Sequence, residues 1–553
     1  MFYIAPAWTN DIKELNHDPL KNLISLLNSG DKPVKLLVLN FLPNLRYLLH
    51  VNGLTNLPFW NLWDAILGIE RTDGMPLGPE SLEIPDDVRI VQGPWAMLGY
   101  RGNELAATLI GNSQGFVQTV ENIESGKHFF DIYDDRGFKA STKYMDEDRL
   151  VRQDWFDEVG QCVLRYEPDA KVPVRILSNY DNFNHTEYAS LDDVYLEFVN
   201  KKFANEFDPQ ADGLIASSGE MIRPLMLKIQ RQMPVTYVLD HQGTVDSTDI
   251  KKLTPQIRGA ASFVVPNYAI FEQFQLEVDE RSQSHLELGY PYGADMRLGN
   301  SNEERQLIVY WNIGDANDDS NITNACNELM DYYLKYENTG LIIATLDDDK
   351  ARIVSSKILD KIIGQYDFLT EAEERETLDM ILRNPNNATE VQNLVNQVRF
   401  RLWQEWQIEH PIKNGEMTVT VGEEAPSEKI NWERFATDIA NVLIRVEPQD
   451  YQIFDDLSRA RILVDMGKPY DARMQFNAIS AGISQINNVE SPFVIDQENG
   501  WIVKEGHSLT QGLDFYLKKL GNWNVALVNT AKYMEQLEFR RQSDWWERRI
   551  HYE

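Results

Sequence analysis

Cysteine is nearly absent from this sequence of 553 residues, which holds only Cys162 and Cys326. Two cysteines so far apart cannot form a disulfide framework, and they are too few for a zinc site built on cysteine. The nine histidines are scattered and show no pair at metal-ligand spacing. We therefore expect a reducing compartment, no metal site and no cofactor.

Long apolar runs are also missing, because stretches such as "KLLVLNFL" are far shorter than the roughly 20 residues that cross a bilayer. The N-terminal "MFYIAPAWTND" has neither the basic nor the apolar region of a signal peptide. We expect a cytoplasmic protein without a membrane span, which reaches the inner face of the membrane through partners.

Basic residues are in the minority, since 53 Lys and Arg stand against 86 Asp and Glu, a net charge of −33. Such a surface repels nucleic acid and anionic headgroups. Solubility explains this acidity more simply than an acidic docking face for a basic partner does. We expect no nucleic acid among the ligands.

What the sequence does contain is an alternation of apolar strands and amphipathic helices. "MFYIAPA", "PVKLLVLNFL", "GLIASSG" and "PVTYVLD" read as strands with helices between them, and the alternation restarts at "RQLIVYWNIG". This pattern predicts two doubly wound α/β domains. Ligands of such domains bind at the carboxyl ends of the strands, in the cleft between the domains.

Residues 86 to 180 differ, because they form short alternating runs separated by turn residues, which is typical of hairpins. We expect an antiparallel sheet that is inserted into the first domain and separable from it. The predicted division is 1–45 and 180–300 for the first Rossmann-like domain, 46–179 for the inserted sheet and 301–510 for the second Rossmann-like domain. Residues 511–553 are predicted to be helices that pack back toward the first domain.

One segment, "MQFNAISAGISQINNVESPFVIDQENGWIV", resembles the donor-binding corner of retaining glycosyltransferases with the two-domain B-type fold. We interpret Ser480 and Gly482 as part of a small-residue helix start at which backbone N–H groups hold a diphosphate. In this alignment the two glutamates of that family fall at Pro469 and Asn477. Asn312 and Asp315 stand where its donor-binding cations would be.

Together with "MFYIAPAW", "LPFWNLWDAI" and "YDDRGF", that corner makes the chain similar to the first of the accessory Sec system proteins, a family that serves the export of serine-rich-repeat surface glycoproteins. The resemblance covers essentially the whole chain. It implies a B-type glycosyltransferase fold, other accessory Sec proteins and an accessory SecA-type ATPase as partners, and the glycoprotein with its glycans as substrate. Our first hypothesis is a non-catalytic adaptor. The alternative is an active retaining glycosyltransferase that modifies the same substrate in the cytoplasm.

Three further motifs have structural and functional interpretations. Asp134, Asp135 and Arg136 could touch a ligand, although a hairpin with Gly137 at positive φ and Arg136 paired to a nearby acid is favoured. "GNSQG" at 111–115 matches a hydrolase nucleophile elbow, but the strand expected after it favours a hairpin turn. Trp545 and Trp546 could form a partner contact or pack against the first domain, and the sequence leaves both open.

Overall fold

The chain forms two parallel sheets and one large antiparallel sheet, together with a two-stranded pair at Ile412–Lys413 and Glu416–Met417. This architecture confirms the predicted fold class. The computed structural model describes residues 1–11, 15–82, 84–93, 96–112, 114–124, 127–240, 245–295, 297–314, 317–383, 388–409, 412–413, 416–417 and 426–550.

The first parallel sheet has seven strands, with Phe2–Ala5 near its centre. Its strands are almost entirely apolar because helices cover both faces, so that successive side chains are buried on either side. In spatial order the strands are Leu286–Leu288, Ser262–Val265, Thr236–Val238, Gly213–Ser217, Phe2–Ala5, Val34–Val38 and Phe59–Asn61. The helices are Pro19–Ser29, Leu45–Val51, Leu62–Leu67, Leu191–Glu206, Arg223–Ile229, Ser247–Gly259, Tyr268–Glu277 and Glu280–Gln283.

The antiparallel sheet has ten strands joined in sequence order. Because Glu104–Gly111 pairs with Val117–Glu124, the "GNSQG" segment joins two strands, and no helix follows it as a nucleophile elbow requires; Ser113 itself lies outside the described residues. In spatial order the strands are Glu187–Tyr188, Val174–Ile176, Cys162–Tyr166, Arg149–Phe156, Phe138–Asp146, Lys127–Asp134, Val117–Glu124, Glu104–Gly111, Met97–Arg101 and Val88–Gln92. Short 3₁₀ helices lie at Pro79–Ser81 and Tyr180–Asn182.

The antiparallel sheet shares a hydrophobic core with the first parallel sheet. Trp155 stacks on Trp63 with 4.8 Å between ring centroids, and Leu164 and Ile176 belong to the same buried cluster as Tyr3. The strand Phe59–Asn61, within the predicted insertion 46–179, completes the parallel sheet beside Val34–Val38. The domain limits and the separability of the sheet stay predictions, and removing the sheet would expose the part of this common core that belongs to the first domain.

The second parallel sheet has six strands and carries most of the remaining helices. In spatial order the strands are Val442–Val446, Thr339–Thr345, Leu307–Ile313, Ala460–Asp465, Ser484–Asn487 and Gly500–Ile502. The helices are Asp319–Lys335, Asp348–Gln365, Ala372–Arg383, Ala388–Glu409, Pro426–Lys429, Trp432–Ala440, Asp450–Arg459, Ala472–Ala481 and Leu509–Leu517. Among the described residues, no helix is both long enough and apolar enough to span a membrane.

Two helices, Leu520–Gln536 and Phe539–Ile550, end the described chain. Trp546 on the second of them is fully buried in the cluster that holds Phe2 and Trp8, and its indole N–H donates to the carbonyl oxygen of Tyr290 at 2.9 Å. Trp545 packs partly buried beside the same cluster. The two tryptophans, for which the sequence left a partner contact open, therefore pack within the chain.

We expect Trp546→Phe to lower the free energy of unfolding by about 1–2 kcal/mol, because it removes the indole N–H donor and leaves a small void in a fully buried site. Trp545→Phe is the matched control on the same turn, and we expect it to cost under about 1 kcal/mol since its side chain is partly exposed. Urea unfolding of both variants checks this. If the two variants lose the same free energy of unfolding, Trp546 does not hold the last helix in place.

Candidate functional site

The candidate site is a cavity of ≈ 60 Å³ where the carboxyl ends of the two parallel sheets face each other. The second sheet contributes Asp465, at the end of its strand Ala460–Asp465, and the loop that carries Tyr470. The first sheet contributes Asn267, whose side-chain amide donates to the carbonyl oxygen of Tyr470 at 2.8 Å. A cavity of this size holds a few water molecules, whereas ligand sites commonly measure about 300–1,000 Å³.

The helix Ala472–Ala481 points its N-terminus at this cavity. Its N-cap is Asp471, whose carboxylate accepts the backbone N–H of Met474 at 3.1 Å and the side-chain amide of Asn312 at 3.3 Å. The N-terminus of a helix carries a partial positive charge that attracts anions. Here the carboxylate of Asp471 caps the helix and places a negative charge of the chain itself at this N-terminus.

A second carboxylate, that of Asp465, is buried directly beside Asp471. It accepts the backbone N–H of Gly467 at 2.9 Å and that of Asp471 at 2.6 Å. Burial, followed by the negative charge of Asp471, raises the pKa of Asp465 to about 7, and the two backbone hydrogen bonds oppose the rise. A negative charge on Asp465 is therefore already unfavourable beside Asp471, and an anionic ligand at this end of the cleft would make it more so.

The cleft contains basic side chains, but the carboxylate of Asp450 lies beside them. Arg473, in the first turn of the helix, forms an ion pair with Asp450. Lys21, on the helix Pro19–Ser29, lies 3.7 Å from the same carboxylate. His17 lies 3.5 Å from the guanidinium of Arg473. The sequence reasoning missed Arg473, Lys21 and His17. Arg473 lies more than 400 residues from Lys21 and His17 in the sequence, so no spacing predicts their contact.

The residues predicted to replace the catalytic acids and cations do not all lie in the cavity. Pro469 lines it, and Asn312 reaches it through the hydrogen bond to Asp471. Asn477 is half-buried on the helix, where its amide donates to the sulfur of Met474 at 3.9 Å. Asp315 lies outside the described residues.

The prediction that Ser480 and Gly482 belong to the start of a helix is wrong. The helix begins at Ala472, so both residues lie at its carboxyl end, away from the positive pole that binds anions. The hydroxyl of Ser480 accepts the backbone N–H of Asp295 at 3.1 Å, and Gly482 ends the helix at φ +73°. A Cβ at Gly482 would lie 2.7 Å from a methyl group of Leu298. These small residues therefore permit close packing at the helix end.

Arg136 joins the antiparallel sheet to the helix Leu62–Leu67. Its guanidinium donates to Asp134 at 2.6 and 2.9 Å and to Asp64 at 2.7 and 3.1 Å, and it is only 7% exposed. Asp135 accepts the backbone N–H of Tyr47 at 2.9 Å. Gly137 has φ +89°. The hairpin interpretation thus describes this turn, and neither Asp134 nor Arg136 is exposed to a partner.

Comparisons with known proteins agree over nearly the full length of the chain. The family model described as accessory Sec system protein 1 matches residues 3–418 and 433–550. A member of that family from Streptococcus gordonii is 22% identical over 96% of this chain and 94% of its own.

Solved structures show the same fold. The structure of accessory secretory protein 1, 2 and 3 from Streptococcus pneumoniae aligns with a TM-score of 0.66 and 17% identity, over 100% of this chain and 99% of the other. The pneumococcal O-GlcNAc transferase GtfA, in complex with UDP and GlcNAc, aligns with a TM-score of 0.63 and 8% identity over the same shares. The fold is therefore that of B-type glycosyltransferases, and the chain belongs to the family of accessory Sec system protein 1.

Proposed function

We propose that the chain is a non-catalytic, glycosyltransferase-like adaptor in the export of a serine-rich-repeat glycoprotein. The observation that carries this proposal is the pair of carboxylates at the donor corner. Asp471 caps the helix that would hold a diphosphate, and Asp465 is buried beside it. The chain retains the two sheets and the cleft, but the charges at their meeting point oppose the donor.

The chemistry of sugar transfer explains why these charges matter. A transferase has to stabilise the negative charge that develops on the departing nucleotide diphosphate. In this cleft the guanidinium of Arg473 is already paired with Asp450. Neither Pro469 nor Asn477 offers a carboxylate. The alternative, a retaining glycosyltransferase acting on the same glycoprotein, would need charges of the opposite sign here.

The proposed partners are other accessory Sec proteins, an accessory SecA-type ATPase and the glycoprotein substrate. The solved assembly of accessory secretory protein 1, 2 and 3 supports the first of these, since one of its chains shares this fold over 99% of its length. We place the complex in the cytoplasm, at the inner face of the membrane. The adaptor role predicts that loss of the chain blocks export and leaves glycosylation of the substrate in place.

We expect the purified chain neither to bind UDP detectably nor to turn over UDP-glucose or UDP-N-acetylglucosamine, because the carboxylate of Asp471 caps the helix N-terminus and the cavity of ≈ 60 Å³ is too small for a nucleotide. Asn477→Glu alone is expected to restore no activity, since it adds a carboxylate and no cation. Calorimetric titration with UDP and a coupled assay for UDP release measure both.

Asp471→Ser tests whether the charge of Asp471 keeps anions away from the helix N-terminus, because serine also caps a helix but carries no charge. We expect this variant to bind inorganic phosphate more tightly than the wild type in a calorimetric titration, because the small cavity admits a small anion once the helix N-terminus is free of a carboxylate. Asp318→Ser is the matched control, since Asp318 caps the helix Asp319–Lys335 of the same sheet by the same kind of hydrogen bond to Asn321. Turnover of a UDP-sugar by the wild-type chain, abolished by Arg473→Gln, would favour the transferase instead.

A further inference from the structure

The chain passes from the first parallel sheet to the second after the strand Leu286–Leu288, and it returns between the helices Leu520–Gln536 and Phe539–Ile550. The first of these helices belongs to the second sheet, since the indole N–H of Trp523 donates to the carbonyl oxygen of Arg461 at 3.3 Å. The last helix packs on the first sheet through its buried tryptophan. The two parallel sheets are therefore joined by an outgoing and a returning connection.

These two connections lie side by side. The backbone N–H of Ala294 in the outgoing connection donates to the carbonyl oxygen of Leu537 in the returning one at 2.7 Å. Short adjacent connections between two packed bodies act as a hinge, because the φ and ψ changes of a few residues move one body relative to the other. What keeps the cleft closed must then be found among the contacts that cross it.

An ion pair crosses the cleft. Lys21, on the helix Pro19–Ser29 of the first sheet, lies 3.7 Å from the carboxylate of Asp450, at the start of the helix Asp450–Arg459 of the second. The Lys21 side chain is only 12% exposed, and burial lowers its pKa while the charge of Asp450 opposes this. Water screens such a pair less than a pair at the surface. Arg473 also pairs with Asp450 and holds its carboxylate in position.

A hydrogen bond crosses the same cleft. Asn267 caps the helix Tyr268–Glu277, where its side-chain oxygen accepts the backbone N–H of Ala269 at 3.0 Å. The side-chain N–H of the same amide donates to the carbonyl oxygen of Tyr470, in the second sheet, at 2.8 Å. The capping bond fixes the orientation of the amide, so its N–H group points at the opposite wall with little conformational freedom left to lose.

We propose that the ion pair of Lys21 with Asp450 and the hydrogen bond of Asn267 to Tyr470 form an internal clamp that holds the cleft closed without any ligand. In two-domain proteins that close around a ligand, the ligand bridges the two walls. Here side chains of the protein bridge them and leave a cavity of ≈ 60 Å³. The clamp fixes the orientation of the two sheets, so that the outer surface has one shape. This inference does not depend on the adaptor role.

Double electron–electron resonance on the full chain measures the opening of the cleft, with spin labels at Glu220→Cys and Asp348→Cys. Both side chains are exposed, and each follows a strand of a different parallel sheet at its carboxyl end. Cys162→Ser removes the half-buried thiol that would take up a label, whereas Cys326 is buried. We expect one narrow distance distribution when the clamp is intact.

Lys21→Met, Asp450→Asn and Asn267→Asp each remove one contact of the clamp. Asn267→Asp retains the oxygen that caps the helix and lacks the N–H group that crosses the cleft. We expect each variant to raise the population at longer distances about tenfold. Asp455→Asn is the matched control on the same helix as Asp450, because its side chain is exposed, and its distribution should equal that of the intact clamp. Thermal melts show that each variant is folded.

A narrow distribution that gains a long-distance population in the clamp variants alone supports the proposal. A broad distribution with the clamp intact overturns it, as does an unchanged distribution in all three clamp variants or an equal opening in Asp455→Asn. The labels report the distance between the two sheets and not the export of a substrate. Failure of the clamp and failure of the adaptor role are therefore separate results.

Discussion

Replacing Arg136 with methionine is expected to lower the free energy of unfolding by about 3–5 kcal/mol, the cost of breaking a buried ion pair by removing one partner. The guanidinium donates two hydrogen bonds to Asp134, two to Asp64 and a fifth to the carbonyl oxygen of Arg71 at 3.0 Å. Methionine fills much of the same volume but leaves both carboxylates without their cation, and Asp134 is 6% exposed. The midpoint and slope of urea unfolding, followed by fluorescence, give the change.

Arg149→Met is the matched control on the same antiparallel sheet. Its side chain is 64% exposed and lies 3.2 Å from Asp169, so water screens the pair. We expect this variant to cost less than about 1 kcal/mol. Adding Asp64→Asn and Asp134→Asn to Arg136→Met should recover part of the lost stability, because no buried charge then lacks a partner. Equal costs for the two arginine variants would contradict the role given to Arg136.

The contacts of Arg136 also show how the antiparallel sheet is attached to the first parallel sheet. The alternating runs of residues 86–180 predicted a separable sheet, and the hairpins are indeed present. However, the pairing with Asp64 and the stacking of Trp155 on Trp63 join that sheet to the first parallel sheet. Periodicity in a sequence shows which face of a strand is buried, but not which other element buries it.

The strands of the parallel sheets could be predicted because each is a short apolar run that helices cover on both faces. The start of the helix at Ala472 could not, since the small residues around Ser480 resemble a phosphate-binding turn as much as a tightly packed helix end. Likewise, the pairing of Lys21 with Asp450 depends on two sheets meeting across the cleft. A single sequence gives no local signal for such contacts.

In the cell, deleting the chain is expected to abolish surface display of the serine-rich-repeat substrate while its glycosylation continues in the cytoplasm. In the proposed adaptor role the chain contributes through what it binds, so its loss removes a step of delivery and not a step of chemistry. The measurement is a deletion strain in which the location and the glycan of the substrate are scored together.

Complementing the deletion strain with variants distinguishes the contribution of the cleft to export from that of the rest of the molecule. Asn477→Asp should restore export as well as the wild type does, since an adaptor does not depend on the amide at that position. Arg136→Met should restore it poorly at elevated growth temperature, because the sheet it anchors is destabilised. If the substrate of the deletion strain instead reaches the surface without a sugar, the chain is a glycosyltransferase and the carboxylates of the cleft belong to a mechanism of transfer.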